Sequence, residues 1–219
     1  MPSSRRGVFI TFEGPEGSGK TSQLRALAEF LRAQMHPVVT TREPGGTAIG
    51  QHIREVLLQP EYGDLHPRAE VLLFLADRAQ HVEEVIRPAL QRGDIVLCDR
   101  FADSTLAYQG YGHGRFSLEQ LRELIAFAVQ GIWPELTILL DLPVEQGLAR
   151  NHGRRDRLER LDLDFHRRVR QGYLELAAAE PQRWLVLDAT RPWEVIQAEL
   201  RQRVLAFLQA RARAASSGV

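Results

Sequence analysis

Lysine is nearly missing from this chain: of its 28 basic residues only one, Lys20, is not arginine. There is also one cysteine and one asparagine, and the 28 acidic residues cancel the basic ones to a formal net charge of zero. Without a basic excess, general nucleic-acid binding is not expected. No apolar run approaches the ~18 residues a membrane-spanning helix needs. The apolar segment at 8–12 is too short for a signal peptide and stops at Glu13, so the protein is expected in the cytoplasm. A lone cysteine excludes an intrachain disulfide framework, and Cys98, inside the apolar run 95–98, is expected to be a buried, inert thiol. Internal repeats and low-complexity linkers are missing too. With 219 residues, 44% hydrophobic and 26% charged, one α/β domain spanning 1–219 fits better than two small ones.

Glycine, in contrast, is concentrated where it carries chemistry. Gly14-Pro15-Glu16-Gly17-Ser18-Gly19-Lys20-Thr21 stands between a β-branched apolar segment at 8–12 and helical apolar spacing over 22–35. Strand, glycine loop, helix is the setting of a P-loop. The glycines let successive backbone N–H groups turn toward one centre, where they hold phosphate oxygens at a helix N-terminus. In such a loop Lys20 reaches the β- and γ-phosphates of ATP and the Thr21 hydroxyl sits on Mg²⁺. In a chain that otherwise uses arginine, the single flexible ammonium stands where a phosphate-binding ammonium is wanted. Lys20 is expected to face solvent when no nucleotide is bound.

Further apolar segments at 38–41, 95–98, 136–140 and 184–187 bring the strand count to five. Helical spacing covers about 48–58, 67–92 with a bend at Pro88, 118–129, 164–179 and 192–212. The expected architecture is a P-loop NTPase three-layer α/β/α sandwich on a five-stranded parallel sheet. Ligands bind such sheets at the carboxyl ends of the strands. There the chain puts Arg42-Glu43-Pro44-Gly45-Gly46 after the second strand and Asp99-Arg100 after the third. Asp99 has the Walker-B position, a carboxylate that holds Mg²⁺ directly or through water. Arg100 beside it either pairs with a neighbouring helix or binds a second anion, and the second option points to phosphoryl transfer between two phosphorylated substrates. Phe74 and Arg78 lie four residues apart and share one helix face. The segment 104–112, mixing hydroxyls, an aromatic, an amide and glycine, reads as a loop lining a polar organic ligand. The arginine-rich segment at about 150–161 is either a solvated face or a mobile lid.

Taken together, Phe12-Glu13-Gly14-Pro15-Glu16-Gly17-Ser18-Gly19-Lys20-Thr21, Thr41-Arg42-Glu43-Pro44-Gly45-Gly46, Asp99-Arg100, Ser104-Thr105-Leu106-Ala107-Tyr108-Gln109-Gly110 and Asp156-Arg157-Leu158-Glu159 resemble the thymidylate kinases over nearly the whole chain. The resemblance implies transfer of the ATP γ-phosphoryl group to dTMP, giving dTDP for dTTP synthesis, with Mg²⁺ and as a homodimer. It implies that Glu16 bonds the sugar 3′-hydroxyl, Phe74 stacks on thymine, Arg78 and Gln109 read its edge with Thr105 nearby, and Tyr108 crowds the 2′ position. Arg54 and Arg100 would clamp the acceptor 5′-phosphate, with Asp99 ordering Arg100 or the metal. Because Gly17 stands where some members carry a basic residue, the lid is expected to supply the charge, through Arg154 and Arg157. Another pyrimidine nucleotide kinase or a deoxynucleoside kinase stays open, since a methyl group contributes only ~1 to 3 kcal/mol in an apolar pocket. A GTPase switch does not fit: with one asparagine and one lysine, the Asn-Lys-x-Asp guanine signal cannot form.

Overall fold

The strand before the glycine loop, β1 (Val8–Glu13), is buried along its whole length. It is the middle strand of a sheet covered on both faces. In a computed structural model describing residues 6–63, 65–150 and 156–217, it lies between β3 (Ile95–Asp99) and β4 (Leu136–Asp141), with β2 (Val38–Arg42) and β5 (Trp184–Asp188) outside them. All neighbours pair in parallel, in the order β2-β3-β1-β4-β5. The five expected strands are all there, and β1, β2, β3 and β4 each run on into the polar residue at their carboxyl end. Register then does functional work: Phe12 and Arg42 both pair with Asp99. The strand ends that launch the glycine loop, the 42–46 turn and Asp99 therefore sit side by side.

Alternation along the strands feeds two cores. Ile10, Leu97, Ile138 and Leu140 point to one face, where α1 (Lys20–Ala33) brings Leu24, Leu27 and Leu31 and α9 (Trp193–Ser217) brings Ile196, Leu200 and Val204. Phe9, Val96, Cys98 and Leu139 point to the other, under α3 (Pro67–His81), α6 (Leu118–Val129) and α8 (Leu163–Ala179). Fully apolar strands are what a sheet buried on both sides requires. Cys98 is buried as expected, and burial raises its thiol pKa well above the ordinary value.

Three local expectations change. The single helical stretch 67–92 is split: α3 ends at His81, a π-type turn spans Val82–Ile86 with Arg87 N–H donating to Val82 O, and α4 (Arg87–Arg92) follows. The wide turn makes room for the Pro88 ring before it can clash with the preceding carbonyls. The segment 104–112 is not a loop. It continues from α5 (Ala102–Thr105) as a π-type helical segment, Leu106–Gly112. Its glycines serve close packing: a Cβ on Gly112 would meet Phe165 at 2.7 Å and one on Gly110 would meet Leu118 at 2.8 Å. Finally, the arginine-rich stretch is preceded by α7 (Val144–Arg150), which sequence periodicity did not reveal. Among the described residues the remaining α-helix is α2 (Ala48–Leu58). Among the described residues no helix is long and apolar enough to cross a membrane.

Candidate active site

The glycine loop 14–19 leaves β1 and ends where α1 begins at Lys20. Gly14, Gly17 and Gly19 have φ of 141°, 71° and 88°, a region side chains rarely adopt. At Gly17 space is closed as well, because a Cβ would lie 2.2 Å from the Gly147 carbonyl of α7. Among the described residues the N–H groups of Gly17, Gly19, Lys20 and Thr21 find no acceptor, as the open first turn of a helix that can bond phosphate oxygens requires.

Lys20 differs from expectation. It is only 7% exposed and folds back over the loop, donating to Gly14 O at 3.0 Å and Pro15 O at 2.8 Å. Carbonyl oxygens attract the ammonium in place of water. Burial and the nearby Arg100 lower its pKa to about 8, with Glu16 and Asp99 opposing. An anion between loop and ammonium would raise the pKa again. The Thr21 hydroxyl, one residue on, donates to Asp99 Oδ2 at 2.5 Å. The P-loop hydroxyl and the Walker-B carboxylate are thus in direct contact.

Arg100 turns out of β3 with φ 68°, uncommon for a residue with a side chain, and such strain is maintained only by its surroundings. Its guanidinium donates to Glu16 Oε1 at 2.6 Å, Gly14 O at 3.2 Å, Ser104 Oγ at 3.3 Å and Tyr173 OH at 3.1 Å, and stacks over the Tyr108 ring. Its ion pair is with Glu16 of the P-loop, while its bonds to Ser104 and Tyr173 reach α5 and α8. Glu16 also accepts from Tyr108 OH at 2.7 Å. Burial pushes the Glu16 carboxyl up, but Arg100, Lys20 and the Tyr108 hydroxyl together hold it at about 2. Beneath this group lies Glu13, which the sequence reading places at the end of an apolar run and within the glycine-loop motif but gives no role. Its fully buried carboxyl accepts from Phe101 N at 2.8 Å, Ser104 Oγ at 2.6 Å and Tyr173 OH at 3.0 Å. Burial, then Asp103, raise it to about 7.

Above the strand ends is a cavity of about 860 Å³. Its walls include Lys20, Thr21, Asp99 and Arg100, together with Phe74, Arg78, Thr105, Tyr108 and Gln109, and Arg42 and Arg54. Arg54 is fixed by donation to Pro44 O at 3.0 Å, and burial followed by Arg42 lowers its pKa. Phe74 is partly buried, its ring packed against the core below the cavity. Arg78, 1% exposed, donates to Glu43 Oε2 at 2.8 Å, Thr105 Oγ1 at 2.9 Å and Phe101 O at 2.9 Å. Glu43 in turn contacts His81 Nδ1 at 2.8 Å. Asp77 accepts from Gly45 N at 2.9 Å and, by burial and proximity to Glu43, is raised to about 6. These buried groups shape the 42–46 turn, and only their place beneath that turn identifies them.

Of the two lid arginines, Arg154 lies outside the described residues. Arg157 does not reach into the cavity: it is 8% exposed, donates to Leu57 O at 2.9 Å and pairs with Glu70. Its neighbour Leu158 is buried in the core as well and lines the cavity. Arg150, at the end of α7, lines the cavity instead and donates to Ala189 O at 3.3 Å.

A family model described as thymidylate kinase matches residues 12–200. The chain is 58% identical over 197 residues to a thymidylate kinase of Deinococcus radiodurans, covering 89% of this chain and 95% of that one. It is 50% identical over 215 residues to a thymidylate kinase of Desulfovibrio desulfuricans, covering 94% and 99%. The crystal structure of a thymidylate kinase from Ehrlichia chaffeensis superposes with a TM-score of 0.74 at 33% identity, covering 91% of this chain and 99% of that one. The matched region holds both the glycine loop and the far wall of the cavity, and the chain belongs to the thymidylate kinase family.

Proposed function

We propose that the protein transfers the γ-phosphoryl group of ATP to dTMP, forming ADP and dTDP. The observation that carries this reading is one cavity with two cationic centres: Lys20 on the P-loop, and Arg54 with Arg100 toward a pocket walled by Phe74, Arg78, Thr105, Tyr108 and Gln109. A single-substrate ATPase has no use for the second. Gly14, Pro15, Glu16, Gly17, Ser18, Gly19, Lys20 and Thr21 take the donor phosphates, and Arg54 and Arg100 the acceptor phosphate. Phe74 stacks on the pyrimidine. Glu16 and Tyr108 stand at the sugar, their mutual hydrogen bond fixing both.

The attacking atom is an oxygen of an already ionised phosphate, so no strong base is needed and catalysis is positioning plus neutralisation. Lys20 spreads positive charge over the β- and γ-phosphates, while Arg100, preset by Glu16, Ser104 and Tyr173, holds the acceptor in line. Thr21 and Asp99 suit Mg²⁺: a hydroxyl and a carboxylate are hard oxygen donors, and this ion is usually held by one or two protein groups plus phosphates and water. The ion would supply further charge neutralisation. Residues at about 150–161 act as a lid that excludes water, with Arg150 and Arg154 its cationic arm and Arg157 its anchor. The chain works as a homodimer through α3 and α6, whose Leu72, Leu124 and Phe127 form apolar surface, Phe127 being 79% exposed. Transfer is tested by ADP formation from Mg-ATP with dTMP, dUMP, dCMP, dGMP, thymidine or no acceptor. Strong turnover with dTMP and weaker turnover with dUMP is expected. Turnover confined to a purine nucleotide, or independent of acceptor, would overturn the reading.

A further inference from the structure

Glu70, in the first turn of α3, is a buried carboxylate with three partners from different parts of the chain. Its Oε1 accepts from Gln109 Nε2 at 2.8 Å and lies 3.3 Å from His113 Nε2, while Oε2 accepts from Arg157. Burial alone would favour the acid form, yet His113, Arg157 and Gln109 hold the carboxyl at about 2. An ionised carboxylate accepts and cannot donate. Gln109 must therefore present its amide N–H to Glu70, which turns its amide oxygen the other way. That oxygen takes no hydrogen bond from the described residues, and Gln109 lines the base end of the cavity.

We propose that Glu70 is a positioning residue that sets the polarity of the base pocket, making Gln109 an acceptor and so selecting a pyrimidine that offers a ring N–H. The inference rests on the kinase reading above. Thymine and uracil carry a hydrogen on N3. Cytosine N3 carries a lone pair, which would face the Gln109 oxygen with no proton between them. Arg78 adds the matching donors, since each of its terminal nitrogens has one N–H beyond those given to Thr105 and Phe101 O. Through Arg157, the carboxylate that sets this polarity also anchors the lid segment.

The test is a competition between equimolar dTMP and dCMP with Mg-ATP, in which the dCDP to dTDP ratio gives the ratio of kcat/KM values whatever the fraction of active protein. In Glu70→Gln, the new amide can serve Gln109 with either end, Gln109 can turn its N–H to the cavity, and the ratio should rise about tenfold or more. Gln109→Leu should raise it too, and Glu70→Gln should then add nothing in the Gln109→Leu background. A merely structural role would slow both acceptors alike and leave the ratio unchanged, which overturns the inference. So would a ratio in Gln109→Leu equal to that of wild type, a result that stands even if Glu70→Gln does not fold. Turnover of dTMP by the wild type is measured in the same series, so failure of the kinase reading is seen separately.

Discussion

Replacing Glu13 by glutamine should change how stability depends on pH. In the native protein the carboxyl is fully buried below Arg100 and is raised from 4.5 to about 7, by burial first and by Asp103 second. The folded state therefore keeps a proton that the unfolded chain releases from pH 4.5 upward. Stability from this group is complete below pH 4.5 and is lost as pH rises through 7. The rise corresponds to about 3 kcal/mol at ~1.4 kcal/mol per pH unit, most of it falling between pH 5 and pH 8. Glutamine keeps the shape and does not titrate. Urea unfolding followed by tryptophan fluorescence at pH 5 and pH 8 should show the wild type losing roughly 2 to 3 kcal/mol more than Glu13→Gln over this interval. Parallel losses in the two proteins would mean that Glu13 is already ionised in the fold, and that the burial argument is wrong.

Removing the Lys20 ammonium in Lys20→Ala should slow transfer by at least about a hundredfold, as for loss of one fixed transition-state donor; a single-turnover rate close to wild type would contradict the phosphate cradle. Because Lys20 is buried over the loop, not solvent-facing, this variant should also shift Tm, read by calorimetry without nucleotide. In Gly17→Ala, a Cβ only 2.2 Å from Gly147 O on a backbone with φ 71° must displace the loop from α7. The rise in Tm on adding Mg-ATP should vanish, and an undiminished rise would refute the close approach. Phe127→Asp should convert a dimer to a monomer in sedimentation velocity, since it places a charge on the most exposed apolar residue of α6; a mass unchanged from wild type would exclude that face.

What could be read from sequence follows the range of the interactions. The strands were legible because strands buried on both faces must be apolar at every position, and the glycine loop because positive φ at Gly14, Gly17 and Gly19 favours glycine at all three. Phe74, Arg78, Thr105, Tyr108 and Gln109 are named by the family resemblance, and all five line one cavity. The stretch 104–112 reads as a loop because it mixes polar residues with glycine, yet Gly110 and Gly112 admit neighbouring side chains against a helix. Arg157 was misassigned because one arginine in a basic run looks like the next until Glu70 and Leu57 O come to meet it. Glu13 and Glu70 were missed for the same reason. Their partners Tyr173 and Gln109 are 160 and 39 residues away, and a carboxylate's burial is a property of those partners.

The most direct check on phosphoryl transfer is to incubate the protein with Mg-ATP and dTMP and separate all nucleotides by anion-exchange chromatography over the course of the reaction. ADP and dTDP should appear one for one, with no ADP when dTMP is left out. ADP accumulating without dTDP would show that water, not a nucleotide phosphate, takes the phosphoryl group, and would contradict the assignment of Arg54 and Arg100 to an acceptor.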